Sequence, residues 1–329
     1  MKTGFQLFLL ALVLFLPSRA ARSQERGCEK RQLPVFVTEK DGSLVTTLDS
    51  ADFRLQSRSA SMSLVALNHD ERRHRVVILL DVSNSMRGLV GPPLWPVVMA
   101  LARHATHAGG ENSDLALALF SDHVLETVGF SRGRDAVWHR LEEVAQDPAL
   151  PMLPKANDSR IYDALKETAK TLGNPTFADF LLIITDGGDE GSKSKPDEIL
   201  DLLSTSMTRV FAILVDPIHG QASSMGPEAL LRIVQKSGGR VFGPIDSDNA
   251  AFRKSGKTAE AQKMMEEQLA QFYQGIFAND VLTIQATSAI HNREVVDLSL
   301  TESARNKIKR AHIYFPYGIG PCSNIGSSQ

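Results

Sequence analysis

Arg75-Val76-Val77-Ile78-Leu79-Leu80-Asp81-Val82-Ser83-Asn84-Ser85-Met86 is an apolar run that ends in a polar turn. The segment Val76 to Leu80 is continuously apolar and opens with β-branched residues. That is the pattern of a strand buried on both faces of a parallel sheet; a strand with one wet face would alternate. Beyond it, Asp81, Ser83 and Ser85 stand at alternate positions, so a chain turning tightly out of the strand can aim a carboxylate and two hydroxyls at a common point. All are oxygen donors. Hard divalent cations favour such a set, Mg²⁺ first with Mn²⁺ and Ca²⁺ as alternatives, whereas zinc more often recruits His or Cys.

Two later segments extend the constellation. Asn157-Asp158-Ser159-Arg160-Ile161-Tyr162-Asp163-Ala164-Leu165 opens an amphipathic helix, and Ser159 offers a further hydroxyl. Phe180-Leu181-Leu182-Ile183-Ile184-Thr185-Asp186-Gly187-Gly188 is another buried strand ending in an acid and glycines, so Asp186 offers the second carboxylate. In open α/β sheets ligands bind beyond the carboxyl ends of strands, where both acids fall.

Asp81-x-Ser83-x-Ser85, Ser159 ahead of Tyr162-Asp163-Ala164, and Thr185-Asp186-Gly187 together resemble the metal ion-dependent adhesion site of a von Willebrand factor type A (VWA) domain. The resemblance spans roughly residues 75 to 245. It implies that Ser83, Ser85 and Ser159 bind a cation through their hydroxyls and that Asp81 and Asp186 hold it directly or through water. The family usually has Thr where this chain has Ser159, which keeps the oxygen but loses the β-methyl that stiffens χ1.

The 329-residue chain is 43% hydrophobic, enough for a sizeable core in one large or two modest domains. A formal net charge of -2 leaves no electrostatic footprint for nucleic acid or an acidic membrane surface. Lys2, the apolar run Phe5 to Leu16 and Pro17-Ser18-Arg19-Ala20-Ala21 form the three regions of a secretory signal, with cleavage expected after Ala20 and an uncleaved anchor as the alternative. The apolar run is too short for a comfortable membrane span, and none follows it downstream. Cys28 follows Glu25-Arg26-Gly27, not the small residues of a lipoprotein signal. Cys28 and Cys322 are the two cysteines, and in an oxidising compartment they form a terminal disulfide or remain two unpaired thiols. A bridge would close a long loop, for which the chain-entropy model gives about 5 kcal/mol as an upper figure.

Before the central segment, Leu33 to Thr38 and Leu44-Val45 read as a hairpin around Asp41-Gly42. Asp52 to Leu55 and Met62 to Leu67 read as strands, and Asn68 to His74 as a charged linker. The central strands are expected at Val76 to Leu80, Leu115 to Phe120, Val124 to Phe130, Phe180 to Thr185, Val210 to Val215 and Arg240 to Phe242. Helical spacing covers Pro93 to Ala108, Asp135 to Ala145, Ile161 to Leu172, Pro196 to Met207 and Pro227 to Lys236. The expectation is an α/β fold: a Rossmann-like, doubly wound, mainly parallel sheet with one antiparallel edge strand. A helix from Thr258 to Phe277 then leads to strands at Val281 to Ala286, Glu294 to Leu300 and His312 to Phe315. Each flank is too small for its own core, so the two should pack as one smaller β-rich module. The expected organisation is a signal over 1–20, a β-rich segment over 21–74, the VWA domain over 75–257, and a helix with a β-rich segment over 258–329. Val37-Thr38-Glu39-Lys40-Asp41-Gly42 and Ala51-Asp52-Phe53 resemble the amino-terminal segment of secreted bacterial, especially acidobacterial, VWA-related proteins.

His69, His74, His104 and His107 lack the Glu of a zincin pattern and are read as ordinary residues. Gly187 to Lys195 has no Walker spacing and is read as the rim of the site, with Asp189 and Glu190 adding negative potential. Asn157-Asp158-Ser159 matches a glycosylation sequon by letter only. Ser83 and Ser85 have no His-Asp partner or nucleophile elbow, so no enzyme is expected. The expected function is a secreted or periplasmic binding module in which the cation engages a carboxylate of a partner protein. The alternatives are an envelope assembly component whose metal only stabilises loops and, less favoured, a metal-assisted hydrolase.

Overall fold

A computed structural model describes residues 30–86, 95–107, 113–146, 159–172, 179–215, 227–245, 258–277, 279–287, 290–308 and 310–321. The export signal, Cys28, Cys322, the Arg87 to Pro93 loop and Asn157-Asp158 lie outside the described residues.

In chain order the elements are β1 (Lys30–Thr38), β2 (Phe53–Ser57), β3 (Met62–His69), β4 (His74–Asp81), α1 (Trp95–His107), β5 (Ser113–Phe120), β6 (Val124–Val128), α2 (Gly133–Gln146) and α3 (Ile161–Thr171). There follow β7 (Phe180–Thr185), α4 (Pro196–Ser206), β8 (Arg209–Val215), α5 (Glu228–Lys236), β9 (Val241–Ile245) and α6 (Thr258–Phe277). The chain then forms β10 (Asp280–Ala286), β11 (Glu294–Leu300), α7 (Glu302–Lys307), β12 (His312–Tyr314) and β13 (Gly318–Ile319).

The central sheet has the order β6-β5-β4-β7-β8-β9, all parallel except the antiparallel edge strand β6. Its middle strands are buried on both faces, which is why their sequences do not alternate. Ile78, Leu80, Leu182 and Ile184 face a core closed by α1, α2 and α6; Val77, Leu79, Leu181 and Ile183 face one closed by α3, α4 and α5. The fold is therefore a doubly wound α/β sheet. From β4 the chain crosses to β5 on one side and later returns to β7 on the other, so the strand order reverses between β4 and β7.

Strands from the two flanks interleave in a four-stranded sheet, β12-β1-β10-β3, and a three-stranded sheet, β13-β11-β2. Leu33, Val35, Leu282, Ile284, Val296 and Leu298 meet in one core.

Several sequence expectations shift. The Asp41-Gly42 turn forms, with Glu39 N donating to Ser43 O at 2.8 Å, but its second arm is only a bridge between Thr38 and Leu44. β1 pairs instead with β10 and β12, whose apolar residues bury it. Asn68 to His74 is charged and largely exposed, as expected of a linker, but only part of it lies outside the strands. Asn68 and His69 continue β3, and Asp70 is buried because Arg72 neutralises it through two bonds of 2.7 and 2.8 Å. The strand expected through Phe130 ends at Val128, and Phe130–Arg132 form a 3₁₀ turn. Two further elements have no counterpart among the expected ones: α7, whose Thr301 side chain caps Ala304 N, and the two-residue β13. Both are too short for periodicity to reveal. Among the described residues no helix is long and apolar enough to cross a membrane.

Buried polar groups join the amino-terminal end of the central sheet to the flanking strands. Arg209 is fully buried, its guanidinium 4.6 Å from the Phe180 ring centroid, 5.3 Å from Phe211 and 5.6 Å from Phe36. These aromatic faces replace water around the charge. Arg209 Nη2 also donates to Asn279 Oδ1 at 2.5 Å, and Asp70 N donates to Asn279 O at 2.8 Å. His74 Nε2 lies 3.7 Å from Asp70 Oδ2, and the His74 ring packs on Phe180. Burial holds the imidazole below its ordinary 6.5; the charges of Asp70 and Asp179 act upward and those of Arg209 and Arg72 downward.

A folded-state imidazole held below its unfolded value favours the neutral form, so its contribution is complete above about 6.5 and is lost as pH falls. Urea denaturation should show wild-type stability dropping below that pH, with a shallower drop in His74→Gln. Equal slopes would show that His74 does not carry the effect.

Candidate metal centre

The crevice beyond β4 and β7 follows from the strand order, because a reversal leaves the loops after the two neighbouring strands diverging. Leu80 pairs with Ile184 in parallel register, so the next residues, Asp81 and Thr185, emerge side by side. Thr185 Oγ1 donates to Asp81 Oδ2 at 2.7 Å and accepts from Gly187 N at 3.1 Å. Ser83 N donates to Asp81 Oδ1 at 2.9 Å, an Asx-type turn that folds the chain back at once. This brings Ser83 Oγ and Ser85 Oγ within 3.1 Å of each other. Ser159, just ahead of α3, donates its hydroxyl toward both Asp81 oxygens at 3.3 and 3.2 Å.

The structure thus links Asp81, Ser83, Ser85 and Ser159 through hydrogen bonds. Asp186 stands at the end of β7, its Oδ1 accepting from Gly188 N at 2.9 Å. Relative exposure is 0% for Asp81, 1% for Ser83, 5% for Ser159 and 5% for Asp186, whereas Ser85 is exposed. The cluster is therefore buried and reaches solvent at Ser85. Gly187 has φ +85°, and a Cβ there would meet Pro227 Cβ at 2.9 Å, so glycine suits both the turn and the packing.

Burial, with the nearby Asp186 charge added, pushes the Asp81 carboxyl up to about 7 against the opposing hydrogen bonds of Ser83 and Thr185. Two acids buried close together are mutually destabilising when both are ionised. Among the described residues no group of three or more His, Cys, Asp or Glu side chains is placed to hold a metal. The present set differs in kind, with two carboxylates and neutral hydroxyls, a composition suited to hard cations. The histidines are engaged otherwise: His69 pairs with Asp280, His104 stacks on Tyr273 and His107 meets the Trp138 ring.

The loop after β7 departs from expectation. Asp189, read as a rim charge, is 0% exposed and turned inward. It accepts from Ser192 Oγ at 2.5 Å, Ser192 N at 3.3 Å and Tyr162 N at 3.4 Å. It therefore adds no exposed potential at the rim. Glu190 N donates to Ser159 O at 2.7 Å, and Asp163 accepts from Ser194 N at 2.8 Å and Lys193 N at 3.0 Å. Sequence reasoning assigned no role to Thr185, although its place beside Asp81 follows once the two strands are paired in parallel. The bonds from Tyr162 N to Asp189 and from Lys193 N and Ser194 N to Asp163 join residues 27 to 31 apart in sequence and leave no local signal.

No family model matches the sequence, and no curated protein matches it. Among solved structures, the chain is similar to the conserved hypothetical protein BatB from Bacteroides thetaiotaomicron, with 17% identity over 60% of this chain and 99% of that chain and a TM-score of 0.41. It is similar to a von Willebrand factor type A protein from Catenulispora acidiphila, with 11% identity over 78% of this chain and 72% of that chain and a TM-score of 0.40. It is also similar to the pilus adhesin SpaC from Lactobacillus rhamnosus GG, with 10% identity over 82% of this chain and 47% of that chain and a TM-score of 0.39.

An acid whose folded pKa is raised stabilises the fold below its ordinary value, and that contribution is lost as pH rises through the folded value, here about 7. Chelator-treated Asp81→Asn should consequently melt above chelator-treated wild type at pH 8, with the gap closing at lower pH. A variant melting at or below wild type at pH 8 would show that the buried acid pair is not a source of strain.

Proposed function

We propose that this chain is a secreted type A domain protein that binds a divalent cation, Mg²⁺ in preference to Mn²⁺ or Ca²⁺, and uses it to engage a carboxylate on a partner protein. The observation that carries this reading is the convergence of Asp81, Ser83, Ser85 and Ser159 in one buried, hydrogen-bonded cluster beside the charge of Asp186, reaching solvent at Ser85. Asp81, Asp186 and the three serine hydroxyls would hold the ion.

The donor set fits such an ion on charge. Burial, with the charge of Asp186 added, raises the proton affinity of Asp81, and a cation beside the two acids would offset their mutual repulsion. When bound, the cation supplies a positive charge that the two acids and neutral hydroxyls leave attractive to an incoming carboxylate oxygen. Asp81 orients Ser83 and Ser159 by accepting from both, and Thr185, at the end of the neighbouring strand, donates to the Asp81 carboxylate. Export is supported by the charged, apolar and small-residue regions of Lys2 to Ala20. A nucleophilic role for the serines is disfavoured because Ser83 Oγ and Ser85 Oγ contact one another rather than a histidine among the described residues.

Calorimetric titration of chelator-stripped protein with Mg²⁺ and Mn²⁺ should give saturable binding near one ion per chain, lost in Asp81→Ala and Asp186→Ala. Partner capture should require the ion and fail with folded Asp81→Ala. Retained capture with a lower melting temperature would instead assign the cation to stabilising loops in an envelope assembly. No binding by folded wild type would overturn the metal reading.

A further inference from the structure

α3 begins without a cap of its own. Arg160 occupies the cap position with φ −110° and ψ 75°, and its side chain makes no capping bond. A helix leaves its first amide N–H groups without intrahelical partners, and that end carries partial positive charge.

The missing acceptors come from the loop between β7 and α4. Ser192 Oγ accepts from Tyr162 N at 3.2 Å and Asp163 N at 3.3 Å, while donating to Asp189 Oδ1 at 2.5 Å. Asp189 Oδ1 accepts from Tyr162 N at 3.4 Å, and Asp189 Oδ2 accepts from Ser192 N at 3.3 Å. Asp163, in the first turn of α3, returns the contact by accepting from Lys193 N and Ser194 N. The brace is reciprocal: an acid of the loop serves the helix, and an acid of the helix serves the loop.

This brace lies between two groups assigned to the ion. Ser159 sits two residues before α3, and Asp186 three residues before Asp189. Glu190, adjacent to Asp189, donates its N–H to the Ser159 carbonyl at 2.7 Å. Ser159 and Asp186 belong to separate segments, joined at the site through Asp81, which accepts from Ser159 and Thr185, and beyond it by this brace. The geometry points to Asp189 and Ser192 as positioning residues of the cation site, a helix cap borrowed from another loop that sets the Ser159 hydroxyl relative to Asp186. This inference rests on the metal reading of the site. It assigns Asp189 no contact with the ion, since its carboxylate is committed to Ser192 and α3.

The test uses Mn²⁺ alone as probe, with full-length protein and the variants Asp189→Asn, Ser192→Ala and Ser192→Thr. Fold is checked by far-UV circular dichroism in chelator. Asn keeps one acceptor but loses the charge; Ala removes the hydroxyl, and Thr retains it. Asp189→Asn and Ser192→Ala should weaken Mn²⁺ affinity roughly 10- to 100-fold, the range for partners that orient metal ligands. They should also change the electron paramagnetic resonance spectrum of the Mn²⁺ still bound at saturation, while Ser192→Thr restores both affinity and spectrum. A purely structural brace would lower the melting temperature and leave the bound spectrum unchanged. Wild-type affinity and spectrum in folded Asp189→Asn and Ser192→Ala would overturn the positioning role while leaving the metal reading intact. Failure of wild type itself to bind Mn²⁺ would overturn both.

Discussion

Parallel pairing of β4 with β7 is the constraint from which the candidate site descends. It fixes Asp81 beside Thr185, with Asp186 one residue beyond, through backbone register, and the Thr185 hydroxyl then donates to the Asp81 carboxylate. Two acids brought together in a buried crevice repel, and the sheet tolerates this because the strands are anchored by apolar contacts on both faces. Strain of this kind collects where a protein binds or reacts, since added positive charge then has something to neutralise. Burial and the Asp186 charge raise the proton affinity of Asp81, and the hydrogen bonds of Ser83 and Thr185 oppose that rise without cancelling it.

The two ends of the central sheet manage buried charge differently. At the carboxyl end, acids face neutral hydroxyls and a solvent opening at Ser85. At the amino end Arg209 is enclosed by three aromatic rings and held by Asn279, and Asp70 takes both arms of its ion pair from Arg72. The first arrangement keeps two acids together beside an exposed serine. The second closes the joint between the sheet and the flanking strands.

Sequence legibility follows from whether a signal is local. Val76 to Leu80 and Phe180 to Thr185 announce themselves because burial on both faces leaves an uninterrupted apolar run, and Asp81 and Asp186 are conspicuous as the first acids after it. Ser83, Ser85 and Ser159 were legible as a pattern, and the structure brings Ser83 and Ser159 to Asp81 and Ser85 to Ser83. Asp189 was not, because an acid in a glycine-rich loop has the composition of a solvated turn, and its contact with the start of α3, at Tyr162 N, is 27 residues away in sequence. The partners of β1 were hidden for the same reason. Its neighbour in sequence offers a single bridge, while the strands that cover it come from the other end of the chain.

That interleaving of the flanks sets an order of assembly. β1, β2 and β3 leave the ribosome before β10, β11 and β12 exist, so the earliest strands wait through synthesis of the whole central sheet for their ladders to close. The contacts joining them are among the longest-range in the chain, and closing such loops is slow compared with helix formation. Until the last strands arrive, β1 presents an apolar stretch with open edges, the kind of surface that invites pairing with another copy. A chain built this way cannot complete its flanking sheets until its last strands have been made, so the β-rich flanks close after the central sheet between them has been synthesised.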